Sequence, residues 1–178
     1  MPLLDFGQPL GGIVQTAYVV PDIEQAIGRW VATMGVGPWR LFERFTGPNP
    51  RYRGEPTEAA VSIAMAFAGS MQIELIQPLD DLPTVYKETI DARGYGFHHW
   101  GVAAADLAAE ITRYEAMGFE QAWNIGPETG DVIVYMDSKG ALPGFVELFS
   151  GANGLEQFRD LYLASVGWKG ENPVRPVE

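Results

Sequence analysis

Two glutamates sit in matching apolar tripeptides, Ile73-Glu74-Leu75 and Val146-Glu147-Leu148, and the chain's two histidines are adjacent, His98-His99. There is no cysteine. Without thiols there can be no disulfide, thiolate nucleophile, zinc ribbon or iron–sulfur cluster. Any metal must rest on oxygen and imidazole nitrogen, and the carboxylates are candidate acids and bases. Side chains alternate along a strand, so each Glu points away from its two apolar neighbours. On a concave, buried face such a Glu is costly unless a cation, a proton or a basic partner meets it. No Lys or Arg occupies the matching strand positions.

The elements that would carry these residues form one pattern used twice. Gln15–Asp22 reads as a strand ending in a helix N-cap; Ile23, Ala26, Ile27, Trp30, Val31 and Met34 follow at helical spacing, and Gly35 ends the helix. His99–Asp106 repeats the strand and cap, Leu107, Ile111, Tyr114 and Met117 form the next helical face, and Gly118 stops it. Strand-like runs follow each helix: 39–45, 60–67 and 71–76, then 119–124, 131–136 and 145–149. The fold class expected is α+β: two tandem βαβββ modules, about 12–78 and 97–150, forming a curved, cup-like mixed sheet with helices outside. Residues 79–96 link them, with a short helix over 84–92. The tail 151–178 is expected to form one more helix from about Gly154, with Pro173 and Pro176 ending order.

Each module then offers one candidate ligand on its first strand and one on its last: Gln15, Glu74, His99 and Glu147. A lone Ile-Glu-Leu is usually an edge strand with a solvated Glu, and a lone His pair is usually structural. The repeat symmetry is what makes the four a candidate metal site. His98 alternates to the face opposite His99 and is expected to pack or to support it from behind. Trp39, Phe45, Tyr52, Phe67, Trp100 and Trp123 are candidate substrate-binding rings, with Met65 and Met71 adding adaptable apolar surface.

These residues resemble the vicinal oxygen chelate superfamily, which includes glyoxalase I, methylmalonyl-CoA epimerase, extradiol dioxygenases and bleomycin-resistance proteins. The likeness spans about residues 12–150. Gly96-Phe97-His98-His99-Trp100-Gly101 is similar to the epimerase pattern Gly-x-His-His-x-Ala. Ile73-Glu74-Leu75-Ile76-Gln77-Pro78 and Gly144-Phe145-Val146-Glu147-Leu148 resemble that family's Glu strands. The resemblance implies one divalent ion (Mn, Co, Ni, Mg or Zn) that polarises a carbonyl and stabilises an enolate, with Glu147 as the base. Glu58 resembles the acidic residue that opens the equivalent epimerase strand and is a second candidate base. Gln15 stands where epimerases and dioxygenases carry His, which argues against ring cleavage. A Gln–Glu–His–Glu set resembles glyoxalase I, but its glutathione clamp falls here on Val19, Pro78 and Tyr95. Glutathione hemithioacetals are therefore expected not to turn over, and efficient activity in a lactoylglutathione assay would refute that reading.

The expected function is thus a metal-dependent isomerase, epimerase or lyase on a bulky apolar or aromatic carbonyl, thioesters included. The alternative is a non-catalytic binder of the bleomycin-resistance type. A net charge of −11 over 178 residues disfavours nucleic acid. Arg40, Arg44, Arg51 and Arg53 form the one basic cluster, read first as a solvated loop. No run reaches the roughly 20 apolar residues of a membrane span. The N-terminus lacks a signal-peptide pattern, giving the expectation of a cytoplasmic protein; the resemblance adds a homodimer.

Overall fold

The structure is a computed structural model that describes residues 3–127 and 132–177. The first module comprises β1 (Ile13–Val19), α1 (Ile23–Met34), β2 (Trp39–Phe45), a short hairpin of β3 (Arg51–Tyr52) and β4 (Glu55–Pro56), β5 (Val61–Ala68) and β6 (Met71–Pro78). Helix α2 (Val85–Arg93) leads to the second module: β7 (Gly96–Ala104), α3 (Leu107–Ala116), β8 (Glu120–Ile125), β9 (Ile133–Asp137) and β10 (Phe145–Ser150). Helix α4 (Gly151–Ser165) and β11 (Val174–Pro176) complete the chain. The start of the expected strand 131–136 lies outside the described residues.

The helix ends follow from local chemistry. Asp22, Thr84 and Asp106 each accept a hydrogen bond from a backbone N–H of the first turn of α1, α2 and α3. Gly35 closes α1 in the left-handed conformation.

All strands join one sheet in the order β11-β2-β5-β6-β1-β7-β10-β9-β8-β3-β4. Its centre, 2-5-6-1-7-10-9-8, reads symmetrically about the antiparallel pair β1–β7, with β6 parallel to β1 and β10 parallel to β7. This is the expected doubled βαβββ arrangement. Alternation decides what faces where. Ile73 and Leu75 pack under α1 with Ile23 and Ile27. Val146 and Leu148 pack under α3 with Leu107 and Ile111. The concave side gathers Ala17, Ile76, Tyr86, Trp123, Tyr135 and Phe145.

Two features depart from the sequence reading. The β3–β4 hairpin, inserted between β2 and β5, crosses from one end of the central sheet to the other and pairs with β8. Gly126 donates to the Pro48 carbonyl and Arg53 N–H to the Ala122 carbonyl, so this strap ties the two edges of the cup together. The tail also stays ordered past its prolines: β11 runs parallel to β2, with Trp39 N–H donating to Pro173 and Val177 N–H to Leu41. Proline lacks a donor, so it suits an edge strand such as β11. Arg53 is not a free cation: it bridges Glu88 at 2.7 Å and Asp137 at 2.8 Å. No helix of the described residues is long and apolar enough to cross a membrane.

Candidate metal centre

The cup brings the four expected ligands to one point. His99 Nε2 lies 3.2 Å from Gln15 Oε1, 3.3 Å from Glu74 Oε2 and 3.2 Å from Glu147 Oε2. All four residues are buried, with His99 fully enclosed. Each sits near the centre of its strand, where pairing on both sides fixes the backbone. Gln15 is oriented by a neighbour the sequence reading missed: its amide donates to Gln72 Oε1 at 2.8 Å, which turns its own carbonyl oxygen toward His99. Gln72 lies two residues before Glu74 and so shares its face, a signal that strand alternation could have supplied.

Three acceptor oxygens around one nitrogen cannot all be satisfied by a single N–H. Glu74 Oε2 is buried with no hydrogen-bond partner, although it stands near His99. A buried carboxylate without a partner is expensive. A divalent cation would satisfy all four atoms at once. Their 3.2–3.3 Å separations from His99 suit the edges of a coordination shell with bonds of about 2.0–2.3 Å. The donor atoms of Glu74, His99 and Glu147 lie within 4.8 Å of one another.

The electrostatics agree with this geometry. Burial pushes the Glu74 carboxyl up, and the nearby Glu147 charge adds to the rise. Burial alone would lower His99, but the charges of the nearby Glu147 and Glu74 carboxylates outweigh it and raise it to about 9. In the metal-free protein a proton therefore holds the place a metal would take. His98, also buried but without a carboxylate partner, is pushed well below the ordinary imidazole range.

One glycine is required by this packing. Gly101 lies opposite Gln15 across β1–β7. A Cβ there would collide with Gln15 Oε1 and lie 2.9 Å from its Cβ. Gly101→Ala is expected to destabilise the fold by about 1–3 kcal/mol and to weaken metal uptake by displacing Gln15. Denaturant melts and metal titration check it. Wild-type stability together with wild-type affinity would show that Gln15 has room the geometry does not provide.

Gln15, Glu74 and Glu147 line a cavity of about 380 Å³. Phe42, Phe45, Ile63, Met65, Trp123, Ile125, Ile133 and Phe149 form its apolar wall, and Tyr86, Tyr135 and Gln157 its polar points. No Lys or Arg lines it among the described residues. Of the expected rings, Phe45 and Trp123 are on this wall. The other placements correct the reading. Trp39 is fully buried beneath α1, its indole N–H donating to the Val36 carbonyl. A register shift between Phe42 and Phe45 breaks the alternation that would keep Trp39 and Phe45 on one face. Trp100 alternates away from His99 and packs on Phe97 with ring centroids 4.6 Å apart. Phe67 lies behind the wall against Phe6, Phe158 and Tyr162. Tyr52 donates to Glu88 and supports the strap. Met71 packs with the cluster under α1. Glu58 is exposed and borders a separate surface depression with Asn49, Thr57 and Leu82. Tyr86 and Tyr135 were missed because they come from α2 and β9. Their hydroxyls meet at 3.2 Å, and the Tyr135 ring stands 4.7 Å from His99.

The chain is thus a doubled βαβββ cup with a buried O/O/N/O cluster at its centre. The sequence profile of the Glyoxalase/Bleomycin resistance protein/Dioxygenase superfamily matches residues 14–135, and the chain belongs to that superfamily. No protein of curated function matches it. Its fold is similar to methylmalonyl-CoA epimerase from Mycobacterium tuberculosis, at 21% identity and TM-score 0.56, covering 83% of this chain and 93% of that one. Methylmalonyl-CoA epimerase from Streptomyces coelicolor, in complex with 2-nitronate-propionyl-CoA, gives 16% identity and TM-score 0.56, with 82% and 97% coverage. A hypothetical protein from Bacillus halodurans gives 17% and 0.55, with 78% and 93% coverage.

Proposed function

We propose that the chain is a metal-dependent isomerase or epimerase acting through a metal-bound enolate on a small carbonyl compound with an apolar or aromatic body. The observation that carries this is the convergence of Gln15, Glu74 and Glu147, which line a largely apolar cavity, on His99 Nε2. Those four residues would hold one divalent ion, which when bound supplies Lewis acidity at the substrate's carbonyl oxygen.

The protein's own residues do the rest. The apolar wall holds the substrate body and excludes water, which strengthens every charge interaction inside. With no Lys or Arg on that wall, the buried part of the substrate is uncharged. Glu147 is buried beside the substrate space and takes the proton α to the carbonyl, returning it to the same carbon or its neighbour. Tyr86 and Tyr135, kept neutral by burial, offer hydroxyls to a substrate oxygen. The fold likeness to methylmalonyl-CoA epimerases supports the reaction class, and thioesters belong in the substrate panel for that reason.

The decisive experiment is solvent deuterium exchange into α-acidic carbonyl compounds with the metal-loaded protein. Exchange at one α-carbon supports the enolate reading. Tight binding of aromatic ligands without exchange across a broad panel would favour a sequestering protein instead.

A further inference from the structure

His98 is the residue that breaks the register of the central strand pair. Ala17 faces His99 and Tyr18 faces Phe97, so His98 has no partner on β1 and forms a bulge. Val14 occupies the equivalent place on β1, between Ile13 facing Val102 and Gln15 facing Gly101. In each module the extra residue directly precedes the first-strand ligand. The bulge brings His98 inward, contrary to simple alternation, and buries it fully among Tyr86, Tyr135 and Phe145. Gly144 makes room for this segment: a Cβ there would strike the His98 carbonyl oxygen and lie 2.8 Å from the Phe97 ring.

The geometry points to His98 as the positioning residue that selects the ring nitrogen His99 presents to the ligand oxygens. This rests on the four-ligand reading of the site, not on the enolate chemistry. His98 Nε2 lies 3.2 Å from the Val85 carbonyl oxygen, which can only accept, so Nε2 carries the hydrogen. No carboxylate is among the hydrogen-bond partners of this buried ring, so it is a neutral imidazole with a bare Nδ1. That Nδ1 stands 2.8 Å from His99 Nδ1, which must supply the hydrogen between them. A neutral His99 protonated on Nδ1 carries its lone pair on Nε2, the atom that faces Gln15, Glu74 and Glu147. The relay starts at Val85, the first residue of α2. The helix that joins the modules thereby sets the orientation of a ligand in the second.

Two substitutions and one spectrum test this. His98→Phe fills the site and removes the acceptor. His98→Asn puts an amide oxygen close to where Nδ1 stands. Binding of Mn²⁺, read by competition with a chelator, is expected to weaken about 10–100-fold in the Phe variant and to recover most of that loss in the Asn variant. Equal losses in both variants would reduce His98 to a packing role, and unchanged affinity in the Phe variant would overturn the proposal. Long-range ¹H–¹⁵N correlation of the zinc-loaded wild type reads the tautomers directly, because the chain has only two histidines. His98 protonated on Nε2 alone and His99 on Nδ1 support the relay; a hydrogen on His98 Nδ1 overturns it. Wild type that takes up no metal overturns it too, together with the ligand reading, whereas unchanged affinity in the Phe variant leaves that reading intact.

Discussion

His99→Ala is expected to abolish stoichiometric metal binding. Wild-type protein purified without chelator should carry close to one divalent ion per site by elemental analysis. His99 is the only nitrogen donor among the four proposed ligands, and its Nε2 lies within 3.3 Å of an oxygen of each of the other three. Its loss should weaken affinity by more than the ~10–100-fold typical of losing an outer partner. The variant would also leave Glu74 and Glu147 facing each other across a buried space without a counter-charge. Two readouts separate loss of ligation from loss of fold: thermal melts with and without Mn²⁺, and far-UV circular dichroism. In wild type, saturating metal raises stability by about 4 kcal/mol at a thousandfold excess over Kd; in the variant the melt should not respond. Because the His99 proton is held up to about pH 9 by the two carboxylates, metal must displace it, and uptake weakens as pH falls. Metal-free wild type, or a variant that still loads stoichiometrically, would end the metal reading.

Glu147→Gln is expected to keep most of the metal and lose most of the exchange activity. An amide still offers an oxygen lone pair to the ion but accepts no proton near neutral pH. Removing a general base costs about 10²–10⁴ in rate. Glu147 suits the role because it borders both the cluster and the substrate space, 3.2 Å from His99 and on the wall of the cavity. The measurement is the rate of solvent deuterium entry at the substrate α-carbon, wild type against variant, at equal metal occupancy. Equal rates would remove Glu147 as base and move the role to Glu74, the other buried carboxylate of the cavity; Glu58 faces a different depression. The Gln variant should melt close to wild type, since the buried position is still filled and polar.

The doubled module, its helix caps and the inward aim of both glutamates were legible in the sequence because each depends on neighbours a few residues away. Alternation around Glu74 and Glu147 sorts Ile73, Leu75, Val146 and Leu148 beneath the helices, and repeat symmetry then leaves one place where Gln15, Glu74, His99 and Glu147 can meet. What the tertiary structure decided lies where strand registers shift or distant segments cross. The His98 bulge exists only in the pairing of β7 with β1, 84 residues apart from Gln15 to His99. The shift in β2 against β5 separates Trp39 from Phe45. Tyr86 and Tyr135 reach the cavity from α2 and β9, and Gln157 from α4. The strap carries Tyr52 and Arg53 across the cup to Glu88 and Asp137. Periodicity is a property of one strand and can be read from one strand. A bulge, a crossing strap or a wall shared by many elements is set by which backbones pair at what offset, and that is fixed by packing the whole chain.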